Sequence, residues 1–476
     1  MMFEAVIGIE VHCELKTKSK MFSMAPVTFG SPPNTQVHVI DLAMPGTLPS
    51  VNKKAVEMAI RVCHALHMDI DNLLRFDRKN YYYADLPKGF QITQYDHPIG
   101  KNGYLDIEVE GETFKIPIER VHLEEDTAKM THSENNTLID YNRAGIPLIE
   151  IVTKPQLHTS QQVVAYLEAL RLILIYTGVS DAIMAQGSMR CDINISLRQP
   201  HSSTLGEKVE IKNLNSFANI QKAIDYEIQR QSHLLQQRLP VARQTRRFDE
   251  KTQSTVVMRE KQSLLDYRYY PEPNILPVRL DWQWIQSIIE RLPQLPDQRK
   301  QRYQKQYQLS FQDTMILLSD QNLSDFYDQV VNIYPYYQTI CHWLIGDVRA
   351  YMHQYQRNIF ELLSVQDFAE LMHMLERKEI SSKQTKQILE FMMIEKKSPH
   401  VIMEAYHIQQ VSDEHLLMQY IEEVLHDYPQ QVAEYYAGKH QICGFFVGQV
   451  MKKTKGQANP QKTNELLKCL LKKRKA

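Results

Sequence analysis

Apolar and polar positions alternate through most of the first half of the chain. In IGIEVHCE, Glu10, His12 and Glu14 fall on one side and Ile9, Val11 and Cys13 on the other, because residues two apart share a face of a strand. RCDINISLR repeats the pattern, with Arg190, Asp192, Asn194, Ser196 and Arg198 opposed to Cys191, Ile193, Ile195 and Leu197. KVEIK puts Lys208, Glu210 and Lys212 together. Short β-branched runs of this kind, separated by Gly/Pro turns, continue from Phe3 to about Pro277. Helical spacing breaks in at Asn52 to Leu66, with Val56, Ile60 and Cys63 on one side. It returns at Gln162 to Tyr176, with Val163, Leu167, Leu170 and Leu174, where Gly178 is placed to close the helix.

From about Trp282 the period becomes helical throughout, rich in Gln, Tyr, Met and Leu and nearly free of glycine. A further break falls near Tyr406 to Ser412, ahead of a basic last segment. The chain of 476 residues is longer than one hydrophobic core usually organises. The pattern therefore predicts an α+β protein in three parts: a strand-rich domain over 1–290, an all-helical domain over 291–405 and a small helical tail over 406–476.

Composition narrows the function classes. With 43% hydrophobic and 23% charged residues and no low-complexity tract, a folded protein rather than a disordered one is expected. No apolar run reaches the roughly 20 residues of a membrane helix. The start, MMFEAVIGIEVH, lacks a basic region followed by an apolar stretch, so a cytoplasmic location is expected. Cys13, Cys63, Cys191, Cys341, Cys443 and Cys469 stand far apart without CxxC pairs, which fits reduced thiols better than a disulfide frame or a zinc knot. The net charge of −1 means that a polyanion would have to be met by local basic patches. The densest such patch is in the tail, at Lys452, Lys453 and Lys455 and again at Lys472, Lys473, Arg474 and Lys475.

A sheet with one solvated face would account for any single one of these strands. Two further segments do not fit that account. RVHLEEDTAK sets Glu124, Glu125 and Asp126 side by side, and PLIEIV places Glu150 between Ile149 and Ile151, where a carboxylate is costly to bury without a cation. Carboxylates with one histidine suit a hard cation such as Mg2+ better than zinc. FDRKNYYYADLPKG supplies Arg78, Lys79 and Lys88 among three tyrosines, as phosphate would require. Neither GxxxxGK[ST] nor GxGxxG occurs, so any nucleotide site is assembled from the strands themselves.

The strings EAVIGIEVHCELKTKSKMFS, FDRKNYYYADLPKGFQITQYDHPIG, HLEED, DYNRAGIPLIEIVTKP, GSMRCDINISLR, EIKNLNSF, QTRRFDE, DYRYYPEP and GFFVGQVMKKTKGQANP resemble the B subunits of glutamine-dependent aspartyl/glutamyl-tRNA amidotransferases. The resemblance covers nearly the whole chain. It implies a kinase-like cradle domain, a helical domain and a tail that grips tRNA. It further implies a heterotrimer in which an amidase A subunit releases ammonia from glutamine and a small C subunit ties the other two together. The B subunit then phosphorylates the side-chain carboxylate of Asp-tRNA(Asn) or Glu-tRNA(Gln) with ATP, and ammonia displaces the phosphate. Carried onto matching motifs, the metal ligands are Glu10, His12, Glu124, Glu125 and Glu150, with Asp192 in support. Lys79 and Glu125 become the catalytic pair, Lys79, Lys88 and Arg190 the ATP contacts, and Lys452, Lys453 and Lys455 the tRNA contacts. The chain departs from the family pattern at Ala84, Thr127-Ala128, Ala185-Gln186, Gln244 and Asn274. The alternatives are a divergent paralogue that binds tRNA or a partner without catalysis, and a free-standing ATP-dependent ligase acting on a small molecule.

Overall fold

The computed structural model describes residues 3–260, 267–408, 414–454 and 457–473. The chain divides into two compact units, Met1–Pro296 and Asp297–Ala476. The first is built on a sheet and the second is helical, in agreement with the expected α+β class.

The main sheet of the first unit has nine strands among the described residues. They are β1 (Glu4–Glu14), β2 (Asp69–Ile70), β3 (Gly100–Val109), β4 (Glu112–Glu125), β5 (Pro147–Thr153), β6 (Met189–Arg198), β7 (Val209–Lys212), β8 (Gln244–Asp249) and β9 (Ser254–Glu260). Their order across the sheet is β9-β8-β7-β6-β1-β5-β4-β3-β2, and the pairs are antiparallel except for β7 with β8. One face is apolar: Ile9, Val11 and Cys13 of β1, Ile149 and Ile151 of β5, Val121 and Leu123 of β4, and Cys191, Ile193 and Ile195 of β6 are all buried. They form one core with the apolar sides of α1 (Lys53–Ala65), α2 (Ser160–Tyr176) and α3 (Phe217–Gln236).

The helix ends follow from local chemistry. The Asn52 side chain accepts from the amides of Lys54 and Ala55 at 2.9 and 3.2 Å and starts α1, and Thr159 accepts from Gln162 at 3.1 Å and starts α2. Gly178, at φ +69°, turns the chain out of α2 as its spacing predicted. A small three-stranded sheet, Tyr270–Pro271 against Asp77–Asn80 against Phe90–Thr93, holds the tyrosine-rich segments in place.

In the second unit the last helices share a core of their own. Leu417, Ile421, Val424 and Leu425 of Glu414–Asp427 meet Phe446 and Val450 of Cys443–Lys453 and Leu467, Leu470 and Leu471 of Pro460–Lys473.

Candidate active site on the polar face of the sheet

Strand register decides which polar residues become neighbours. His12 of β1 lies directly opposite Glu150 of β5 on one side and Arg190 of β6 on the other, and Glu150 lies opposite His122 of β4. Glu124, two residues beyond His122, shares that face. The result is a row of polar side chains on the surface of the sheet that the helices leave uncovered. His12 Nε2 is 3.5 Å from Glu124 Oε1 and 3.6 Å from Glu150 Oε2. One ligand atom from each of His12, Glu124 and Glu150 lies within 4.8 Å of the others.

His122 completes the cluster behind this triad. Its Nε2 is 3.0 Å from Glu150 Oε2 and 3.6 Å from Glu124 Oε2. Burial disfavours the charged imidazole, but the Glu150 and Glu124 carboxylates outweigh it and raise His122 to about 9. Burial acts on Glu150 as well, and there the positive charges of His122 and His12 prevail and hold the carboxyl well below its usual range. His122 Nδ1 is buried without a hydrogen-bond partner. Two buried carboxylates converging with an imidazole fit a divalent cation. The donor set is hard and anionic, and its open side faces the cavity rather than the apolar core.

The remaining expected residues are distributed around this triad. Glu10 stands opposite Asp192, and its carboxylate accepts from Asn194 Nδ2 at 2.8 Å, so it belongs to the same face but not to the converging three. Glu125, next to Glu124 in a strand, points the other way. There Lys88 Nζ binds both of its oxygens and the Ile92 amide donates to it at 3.0 Å. Burial raises the Glu125 carboxyl, and Lys88 opposes the shift. Arg190 Nη2 donates to Asp126 Oδ2 at 2.8 Å, and Arg143 Nε shares that oxygen at 2.5 Å. Burial works against the Asp126 charge, and the two arginines hold its carboxyl below the ordinary value.

Three cavities meet at this face. One of about 600 Å3 is lined by His12, Glu124, Lys79, Arg190 and Lys212, and one of about 300 Å3 by His122, Glu150 and Glu10. The third, about 1050 Å3, is lined by five tyrosines and an equal number of polar or charged residues. Lys79 and Lys212 line all three. Lys79 Nζ sits 5.1 Å from the centre of the Tyr267 ring. Lys212 Nζ pairs with Asp192 and, at 3.2 Å, with Glu210, and although burial works against its charge these partners raise it further.

Two of these residues, His122 and Lys212, were not singled out as site residues from the sequence. His122 had a visible signal, since it stands two positions before Glu124. Lys212 had only its place on the charged face of KVEIK, and it reaches the site because Asn194 of β6 pairs with Glu210 of β7. The departures at Ala185, Gln186, Gln244 and Asn274 line none of the three cavities. In the second unit, Lys452 is exposed on the last turn of its helix, while Lys453 is held by Glu423 and Asp427, both at 2.9 Å. Lys455, Arg474 and Lys475 lie outside the described residues.

Fold and site together define the class: an enzyme domain on a mainly antiparallel sheet, with a carboxylate–histidine triad and flanking cations facing shared cavities, followed in the chain by a helical unit. Residues 5–286 match the family model described as the GatB/GatE catalytic domain, and residues 325–471 match the GatB domain. Over 475 residues and the full length of both chains, the protein is 45% identical to the B subunit of the aspartyl/glutamyl-tRNA(Asn/Gln) amidotransferase of Macrococcus caseolyticus. It is 46% identical to the subunits of the same name from Staphylococcus saprophyticus and Staphylococcus haemolyticus, again over the full length of both. The chain belongs to the family of aspartyl/glutamyl-tRNA(Asn/Gln) amidotransferase B subunits.

Proposed function

We propose that the chain is the ligase subunit that uses Mg2+ and ATP to phosphorylate the side-chain carboxylate of Asp-tRNA(Asn) or Glu-tRNA(Gln). Ammonia from a partner amidase A subunit then attacks the activated carbonyl, phosphate leaves, and Asn-tRNA(Asn) or Gln-tRNA(Gln) is formed. A small C subunit completes the heterotrimer in the cytoplasm. The observation that carries this reading is the convergence of His12, Glu124 and Glu150 beside cavities that share two lysines.

Activation is needed because a carboxylate has only oxide to expel, whereas an acyl phosphate expels phosphate. Phosphoryl transfer asks a protein for positioning and charge neutralisation more than for a nucleophile. Here His12, Glu124 and Glu150 would hold the cation, with His122 fixing the Glu150 carboxylate from behind. A bound Mg2+ would neutralise charge on the phosphates and orient them. Lys79, Lys212 and Arg190 supply fixed positive charge along the same wall, and Glu10 and Asp192 support it. Lys88 and Glu125 form a buried pair on the other side of β4 and do not join the triad.

The tail from residue 406 onward is read as a tRNA-gripping domain. In support, its helices share a separate core and present Lys452 at the surface, next in sequence to Lys453 and Lys455. No observation favours a paralogue without catalysis. The test is the reconstituted heterotrimer supplied with ATP and glutamine, with and without RNA. ATP-dependent formation of Gln-tRNA or Asn-tRNA is expected, and amide formation on a small acid in the absence of RNA would indicate a free-standing ligase instead.

A further inference from the structure

Strand β4 changes its alternation just before it reaches the triad. Counting back from Glu124 and His122 puts Arg120 on the polar face, whereas counting forward from the buried Ile116 and Ile118 would put it in the core. A β-bulge reconciles the two. Val152 of β5 pairs with Arg120, but the next residue, Thr153, pairs with Ile118, so Glu119 is an extra residue. Bulges of this kind re-aim a side chain. Arg120 is thereby set on the triad's face, two residues and about 7 Å along the strand from His122. It lines the cavity of about 300 Å3 together with His12, His122, Glu124 and Glu150.

The charges around Arg120 leave it available. Among the described residues its ion pair is with Glu119, at 3.0 Å, and that carboxylate is 50% exposed, so water screens the pair and it contributes little. Lys101 of β3 lies directly opposite Arg120, and its ammonium donates to the Asp96 carbonyl at 3.4 Å. Like charges opposite each other across a ladder repel, and an anion placed between them relieves the repulsion. The rest of the cavity wall is rich in acids, and Lys212 there is already paired with Asp192 and Glu210. A polyphosphate entering this cavity therefore finds in Arg120 a cation that no buried carboxylate has claimed.

We propose that Arg120 is a further catalytic residue of the phosphoryl transfer, binding the β-phosphate of ATP and stabilising the charge that collects there as ADP leaves. The assignment rests on the ligase reading above. In that step an oxygen of the aminoacyl side-chain carboxylate bonds to the γ-phosphorus. The bond from that phosphorus to the β–γ bridging oxygen breaks, the oxygen keeps the electron pair on ADP, and no proton moves. The planar guanidinium matches two phosphate oxygens at once, and a fixed cation acts most where charge develops. The β-phosphate is favoured over the γ-phosphate by position: the transferred group must lie at the triad beside Lys79, and Arg120 stands further along the strand.

The experiment measures transamidation by the reconstituted heterotrimer at varied ATP, with ADP as competitive inhibitor, and Mn2+ affinity without nucleotide. Arg120→Gln is expected to raise both KM for ATP and the inhibition constant of ADP about tenfold, as for loss of a charge-assisted hydrogen bond, and to lower kcat. KM for aminoacyl-tRNA and Mn2+ affinity should stay within about twofold of the parent, since neither involves the β-phosphate. Glu119→Gln should behave as the parent. Unchanged ATP and ADP constants in Arg120→Gln would overturn the proposal, as would a rise confined to aminoacyl-tRNA or the same loss in Glu119→Gln. If Arg120→Gln loses Mn2+ affinity, the sheet itself is disturbed and Arg120→Lys decides: weakened ADP inhibition supports the assignment, and parental inhibition overturns it. A parent complex without ATP-dependent activity would remove the ligase reading, whereas an active parent matched by Arg120→Gln removes this assignment alone.

Discussion

Glu150 lies in a strand whose seven residues are all buried, and the charges that act on it are those of His12, His122 and Lys79. A carboxylate so placed is tolerable because it is paired, and it remains available to a cation. Removing one charge from the triad should therefore abolish metal binding before it affects anything else. By titration with Mn2+ followed by electron paramagnetic resonance, Glu150→Gln and Glu124→Gln are each expected to bind the ion at least tenfold more weakly than the parent. Unchanged affinity would mean that the ion sits elsewhere. Lys212→Met should leave Mn2+ affinity within about twofold and lower the ATP-dependent rate about tenfold, or roughly 1.4 kcal/mol in the barrier. Glu150 was legible in the sequence because an acid inside an apolar run must be paired to be tolerated there. The neighbouring acids were harder to separate. Glu124, Glu125 and Asp126 read as one cluster, yet strand alternation sends Glu124 to the triad and Glu125 to Lys88, and Asp126 is taken up by Arg143 and Arg190.

Among the elements, α3 is tied to the far edge of the sheet by a buried ionic network. Glu227 is fully buried and accepts from Arg230, from Gln231 at 3.1 Å and from Thr255 of β9, while Arg246 of β8 lies 3.1 Å away. Burial works against the Glu227 charge, and the bonds from Arg230 and Thr255 overcome it, so its folded-state carboxyl titrates below the ordinary value. A depressed carboxyl contributes stability that is present above the unfolded value and lost as pH falls through the folded one. In urea titrations, Glu227→Gln is expected to cost about 3 kcal/mol at pH 7, as for other broken buried pairs. The gap should narrow as the pH drops below about 4. A gap that is independent of pH would mean that packing, not charge, does the work. The sequence announced α1 and α2 by period, with Gly178 closing α2, and the strand faces by alternation. It did not announce which strand pairs with which: β7 lies against β6 by a long-range register that local pattern does not encode, and Lys212 enters the site through it.

At the scale of the whole molecule, the first unit carries the proposed chemistry and the second carries the lysines assigned to tRNA. Deleting the residues after Tyr406 should weaken tRNA binding at least tenfold and flatten its dependence on salt, because phosphate contacts release counterions. Mn2+ affinity should stay as in the parent. Equal tRNA affinity in the truncated complex would remove the tail from the interface. The change from strand-rich to helical was plain in the sequence because the hydrophobic period itself changes, from two to near four. The separate core of the last helices was less so, since their apolar spacing resembles that of the helices before them.

The most direct test is ATP- and glutamine-dependent conversion of Glu-tRNA(Gln) and Asp-tRNA(Asn) by the complex carrying Glu124→Gln, compared with the parent, with glutamine hydrolysis measured in parallel. Transamidation reduced at least tenfold with glutamine hydrolysis retained is the expected result, and places carboxylate activation at the triad of this chain. Transamidation at the parent rate would contradict it.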